Sequence, residues 1–204
     1  MHRELHLRRH LHLRRCLQLR RHLHLRCQLH VRLPVRELTA TDMLSIQDIG
    51  IVILIGVGAT AFMDAWLLTL ARFGVPTTNW ALVGRWVGHM PKGRFAHASM
   101  ANAPPVRGEL AVGWMTHYAI GVGYALALMA FVGTEWASQP SLLPALLFGL
   151  VTVAAPLFVM QPAMGSGFAA SKTASPMKTC LRSLANHGMF GVGLYAAAAA
   201  LAYI

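Results

Sequence analysis

Four apolar runs decide what this chain can become. They cover about residues 48–70, 110–132, 142–160 and 184–204. Crossing a bilayer takes about 20 apolar residues, and each run is too long, and too apolar all round, for a helix that buries one stripe in a soluble core. The predicted fold is therefore all-α, an integral membrane bundle of about four transmembrane helices. Composition agrees. Apolar residues make up 55% of the chain, mean hydropathy is +0.49 and 12% of residues are charged, whereas a soluble domain carries roughly a quarter. A cleaved signal peptide ending near Ala59-Thr60-Ala61 does not fit, because the apolar run continues past it and no basic segment directly precedes it.

A formal charge of +11 points to a nucleic-acid binder until the charges are located. Residues 1–42 hold ten of the 18 basic residues against Glu4, Glu37 and Asp42, together with seven of the 11 histidines. This segment is a six-residue repeat: HLHLRR (10–15), CLQLRR (16–21), HLHLRC (22–27) and QLHVRL (28–33). Its alternation suits a strand, but no second such segment lies nearby to pair with it. An arginine-rich arm can neutralise the phosphates of RNA or anionic lipid, and the pairs His10/His12 and His22/His24 are weak metal-ligand signals. The preferred reading is a simple repeat lying upstream of the true start, with Met43 as the initiator, because such tracts need form no packed core. Residues 1–42 are thus set apart from a membrane domain at 43–204, and no nucleic-acid partner is expected. Cys16 and Cys27 fall in the repeat and Cys180 stands alone, so no disulfide framework is implied.

The remaining basic residues carry a topology signal. Arg72, Arg85, Lys92, Arg94 and Arg107 lie between the first two runs, and Lys172, Lys178 and Arg182 between the last two, while the middle connection holds only Glu135. The positive-inside rule then predicts that loops 71–109 and 161–183 are cytoplasmic. The first loop is too long for a bare connector. Within it Trp80, Val83, Val87 and Met90 follow helical spacing, Leu82 and Trp86 widen the apolar face, and Arg85 and His89 point elsewhere. Asn79 or Thr78 is a candidate N-cap, and Pro91 ends the helix. This pattern predicts an amphipathic interfacial or re-entrant helix with its tryptophans at headgroup level, or else a lid packed on the bundle.

Polar residues inside the runs mark the candidate site. Asp64 lies well within the first run, where an ionised carboxylate costs roughly 2.5–3.5 kcal/mol on insertion. It shares a small, polar stripe with Gly56, Thr60 and Ala61, and such stripes face protein rather than lipid. His117 shares a face with Gly113, Gly121 and Ala125, and His187 with Gly191 and Tyr195. Gln161 closes the third run just before Pro162, and Pro156 is expected to kink that run. At 1.5 Å per residue, Asp64, His117 and His187 fall about 8–12 Å from the inner ends of their helices. Asp64, His117, Gln161 and His187 thus form a candidate intramembrane polar site at common depth. The site fits a proton relay or a carboxylate with two imidazoles on a metal, and the plainer alternative is that these groups hydrogen-bond between helices. No metal and no cofactor is assigned. The pairs Gly56/Gly58, Gly121/Gly123 and Gly191/Gly193 read as packing notches, since no strand precedes them as a phosphate loop requires.

The segments GVGATAFMDAW (56–66), FGVPTTNWALVGRWVGHMPKGRF (73–95), GWMTHYAIGVGYA (113–125), PALLFGLVTVAAPLFVMQPAMG (144–165) and LRSLANHGMFGVGLY (181–195) together resemble a family of small bacterial inner-membrane proteins catalogued as domain of unknown function 2938. The resemblance covers essentially residues 49–204 and none of the repeat. It implies a multi-span membrane protein and carries no established activity, substrate or cofactor. Three function classes follow from the residues. A small carrier or proton-coupled transporter using the buried Asp/His site leads, because the unusual residues are ionisable and intramembrane. A structural or assembly partner would use the glycine faces, and a membrane enzyme would use the same polar groups as acid and base. The lipid bilayer is the expected partner. A body this small has little room for a private solute pathway, which makes homo-oligomerisation an expectation.

Overall fold

A computed structural model describes residues 46–203, so the repeat of residues 1–42 and the reading of Met43 as initiator lie outside the described residues. The described residues form helices joined by turns, with no strand among them. The helices are α1 (Ile46–Arg72), α2 (Trp80–His89), α3 (Glu109–Val132), α4 (Leu142–Thr152), α5 (Gln161–Ala163) and α6 (Pro176–Ala202). Four segments are long and apolar enough to cross a membrane: Asp48–Arg72, Glu109–Val132, Leu142–Ala163 and Pro176–Ala202. The all-α bundle expected from the runs is therefore what the chain forms.

Two boundaries differ from the sequence reading. The last helix begins at Pro176 rather than near Leu184. Proline is preorganised for the first turn of a helix, and hydropathy counting mistook a polar helical turn carrying Lys178 and Arg182 for loop. In the third segment, regular helix stops at Thr152 and resumes through a π-helical turn, Pro156–Met160. Pro156 has no N–H to donate back along the helix, and Gln161 N–H instead donates to the Pro156 carbonyl, five residues back.

Close helix crossings set the bundle. α1 packs along both α3 and α6, α4 packs on α6, and α2 lies on α3, whereas α3 and α4 barely meet. Glycines make these approaches: a Cβ on Gly56 would fall 2.5 Å from the Cα of Val122, one on Gly191 would fall 2.7 Å from the Ala145 carbonyl, and one on Gly193 2.8 Å from the Ala59 carbonyl. Gly84 of α2 and Gly113 of α3 bring those two helices together against the Glu109 and Trp80 carbonyls. Small residues are how membrane helices gain packing contact, because lipid offers no hydrophobic drive between them. Gly123, also expected as a notch, faces open space. It points away from the seam that Gly121 occupies.

The core fills only one half of the bundle. Ile55, Ala59, Leu128, Ala145, Leu194 and Ala198 are essentially inaccessible and contact one another through the end of the bundle remote from α2. At the α2 end, the gap between α3 and the α4–α5 segment is not closed by side chains. That gap is the cavity described next.

Candidate functional site

A cavity of about 550 Å³ is lined by α1, α2, α3, the π-helical turn and α6. On α6 its lining residues run from Thr179 to Phe190, a depth of roughly 16 Å at helical rise. Its walls are mostly apolar, with Met63, Leu67, Tyr124, Pro156, Met160 and Phe190 among them. Polar groups enter from one face of α6, where Thr179, Arg182, Ser183, Asn186 and His187 succeed one another at helical spacing. His117 on α3 and Gln161 just after the π-helical turn add to the polar lining, as do the hydroxyls of Thr60, Thr77, Thr78 and Thr116. An apolar pocket with a few convergent polar groups is the usual form of a small-molecule site.

Asp64 stands behind this wall. Its Oδ1 lies 3.0 Å from His117 Nε2, and its Oδ2 accepts the Tyr118 hydroxyl at 2.9 Å. The side chains of Asp64 and His117 are 13% and 8% exposed, so the pair is shielded from lipid and water. A carboxylate can only accept once ionised, which makes Nε2 the protonated nitrogen of the His117 ring and leaves Nδ1 as an acceptor when the ring is neutral. Thr60, one turn along α1, spends its hydroxyl on the Gly56 carbonyl at 2.8 Å. Gly121 makes room for that hydroxyl, and Asp64 is left to α3.

His187 is placed apart from that pair. Its Nδ1 lies 2.9 Å from the Thr152 hydroxyl, which also lies 2.7 Å from the Gly149 carbonyl. The hydroxyl has one proton, and the carbonyl can only accept it, so the imidazole donates through Nδ1 and keeps Nε2 as acceptor. The structure thus brings together Asp64 and His117 and sets His117, Gln161 and His187 around one cavity, with Asp64 one side chain removed from it. The Oε1 of Gln161 is buried without a hydrogen-bond partner among the described residues. No group of three or more His, Cys, Asp or Glu able to hold a metal gathers among the described residues.

α2 forms one wall of the cavity, next to the exposed Pro76, Thr77 and Thr78 that also line it. Asn79 caps α2, with Ala81 N–H donating to its side chain at 3.1 Å. The Trp80 ring stacks on His117 at 3.9 Å between centroids and 26° between planes, and Trp80, Val83 and Trp86 all line the cavity. The apolar face of α2 is therefore turned onto the bundle. Arg85 and His89, read as pointing away from the packed side, are also turned inward. Arg85 makes a two-point fork to Glu109, both bonds 2.8 Å, and its Nη1 reaches the carbonyls of Met100, Ala101 and Ala103. The fork to Glu109 raises the Arg85 pKa above its ordinary value, so the guanidinium stays charged. His89 is buried and its Nδ1 lies 2.8 Å from His97 Nε2. Reading along one helix cannot see partners supplied by Glu109 and His97 from a later segment, and that is why both residues looked solvated.

Some residues of the site escaped the sequence reading. Tyr118 is one position from a singled-out histidine and carried no signal of its own. Thr152 and the bond from Trp66 Nε1 to Asn186 Oδ1, 3.1 Å, depend on helix order. Arg182 was read as a loop charge, yet its spacing to Asn186 and Thr179 already placed it on the His187 face.

The arrangement defines a class: an all-helical protein, over the described residues, of four membrane-length segments with a cavity between them and an imidazole in its wall backed by a carboxylate. Within that class the chain belongs to the family described as Protein of unknown function (DUF2938), whose sequence model matches residues 53–201. No curated protein and no solved structure matches the chain.

Proposed function

We propose that this protein is a small proton-coupled carrier that holds its solute in the half-depth cavity. One observation carries the reading: His117 is bonded to the intramembrane carboxylate of Asp64 on one side and lines the cavity on the other. An imidazole in that position changes charge as a proton arrives or leaves, and the change is felt where a solute would sit. Trp80, stacked on the same ring, ties the charge of His117 to the seating of α2. The packed core at the far end and the cavity at the near end correspond to one of the two states that alternating access requires. The proposal sets the chain in the bacterial inner membrane with loops 71–109 and 161–183 on the cytoplasmic side, as their basic residues favour, and with α2 at the inner interface.

The assembly reading draws less support from the glycines, because Gly56, Gly58, Gly121, Gly191 and Gly193 make contacts within the chain and only Gly123 of those pairs faces open space. Everted vesicles containing the protein, given radiolabelled monocarboxylic acids of increasing chain length, test the carrier. Wild-type protein should accumulate or expel at least one acid in proportion to an imposed pH gradient. Asp64→Asn and His117→Gln, at equal membrane abundance, should abolish that dependence. Gradient-driven flux unchanged in Asp64→Asn would end the proposal.

A further inference from the structure

The charge and shape of the cavity go further than its existence, and they specify a ligand. Among the described residues no carboxylate lines it. Asp64, the nearest by connectivity, is held behind His117 and Tyr118 by two hydrogen bonds. The one permanently charged side chain in the lining is the Arg182 guanidinium, and the imidazoles of His117 and His187 add no negative charge to it. Arg182 makes no ion pair among the described residues, although its half-buried side chain projects from the wall of a largely apolar cavity. An arginine in such a place is a receptor for a carboxylate or phosphate oxygen. Ser183, the next residue along the same wall, adds a hydroxyl donor at the same level, whereas the Thr179 hydroxyl donates to the Ser175 carbonyl.

The rest of the cavity is built for a tail. Beyond the polar face of α6 the lining becomes Met63, Tyr124, Pro156, Met160 and Phe190. Besides Pro76 in the connection before α2, which is exposed and also lines the cavity, two large hydrophobic side chains line it and yet lie on the outer surface: Ile120 on α3 is 47% exposed and Val159 on the π-helical turn is 59% exposed. They mark a side mouth in the seam where α3 and the α4–α5 segment barely meet. Both sit inside segments of membrane-crossing length, so this mouth opens toward acyl chains rather than water.

We infer that the cavity takes a single-chain amphipathic acid from the bilayer, its acidic head on Arg182 and its apolar tail directed to the side mouth between Ile120 and Val159. A cation is disfavoured by the same wall, and a neutral chain gains nothing from Arg182. The volume, about 550 Å³, sits within the roughly 300–1,000 Å³ typical of drug-sized ligands. It accommodates one chain and excludes a two-chain phospholipid from lying wholly inside. The inference rests on the carrier reading for its biological sense, but binding is read separately from flux.

The test uses full-length protein in nanodiscs and terminally brominated dodecanoate, whose bromine quenches tryptophan on contact. Trp80 and Trp86 line the cavity and report occupancy. The matching brominated alcohol and quaternary ammonium control for partition into lipid. Saturable quenching by the acid, at least tenfold tighter than by either control, is the expected result. Arg182→Gln should weaken the acid at least tenfold and leave the alcohol unchanged, while Arg182→Lys should stay within threefold of wild type. Equal affinity for acid and alcohol, or an unaffected Arg182→Gln, would overturn the charge assignment. Displacement of the acid by benzoate at similar concentration would overturn the membrane source in favour of a small soluble acid. Binding without gradient-driven flux would sink the carrier and leave this inference standing, and flux of acids without selective binding would do the reverse.

Discussion

Two glycines one turn-fraction apart on α3 give a stringent test of how this bundle holds together. Gly121 lies against α1, where an added Cβ would overlap the Thr60 hydroxyl oxygen and come within 3.2 Å of the Gly56 carbonyl, whereas one on Gly123 would meet nothing within 4 Å. Replacing glycine by alanine inside a helix contributes about 0.5–1 kcal/mol of stability when there is space. Forcing a methyl into a filled seam costs about 1–3 kcal/mol. Gly123→Ala should therefore be neutral to slightly stabilising, and Gly121→Ala should fall below it by about 1–3 kcal/mol, because the helix-propensity gain is common to both and only the overpacking cost differs. Thr60→Ala removes the nearest obstructing atom. Its hydroxyl bonds only a carbonyl of its own helix, so the single change costs about 0.5–1.5 kcal/mol. The double variant should then recover roughly 1–2 kcal/mol relative to additivity, as expected for side chains in direct contact. Reversible unfolding in mixed micelles, read by tryptophan fluorescence, measures all four proteins. Equal midpoints for Gly121→Ala and Gly123→Ala, or an additive double variant, would refute the placement of α3 on α1.

Further outcomes follow from the site. Tyr118→Phe removes one of two donors to Asp64 and should lower stability by about 0.6 kcal/mol, the average for an intramembrane hydrogen bond. His117→Ala, which also strips the surface under Trp80, should cost more in the same assay. Asn79→Ala removes the cap of α2 and should destabilise that helix by about 0.5–2 kcal/mol, seen as faster amide exchange at Ala81 and Leu82 than in α3. Arg85→Lys loses the fork to Glu109 and the reach to three carbonyls. It should speed tryptic cleavage at Lys92 and Arg94, and unchanged cleavage would show that Arg85 does not pin the α2–α3 connection.

The spans were legible because length and hydropathy are local properties, and α1 and α3 end within a few residues of where their apolar runs end. Asp64 and His117 were legible for a related reason: an ionisable residue in an apolar run is costly wherever it stands, and its stripe of small neighbours says that it faces protein. Their pairing was not, because common depth does not set which helices are adjacent. His187 has the same credentials of depth and stripe, yet Thr152 claims it, since α6 packs on α4 through Gly149 and Gly191. The cavity was invisible for a different reason. It exists because α3 and α4 fail to pack, and a missing contact leaves no periodicity to read. Arg182 shows the cost of reading charges only as topology: the same side chain that votes for a cytoplasmic loop also faces the cavity.

The π-helical turn at Pro156–Met160 has a genetic consequence. A π turn is an α-helix carrying one surplus residue. Deleting a single codon between Val153 and Val159 would let the segment close into regular helix, and because the wide turn already absorbs the surplus residue, the helix beyond it would keep its register. Gln161 would stay on the cavity wall, and the 97–100 strip, whose His97 and Met100 amides donate to Ala163 and Met164, would keep its anchor. A further residue inserted at this turn has no such slack, and everything after it would rotate by about 100° and advance by about 1.5 Å. A one-residue gap here should therefore be tolerated where a one-residue insertion is not.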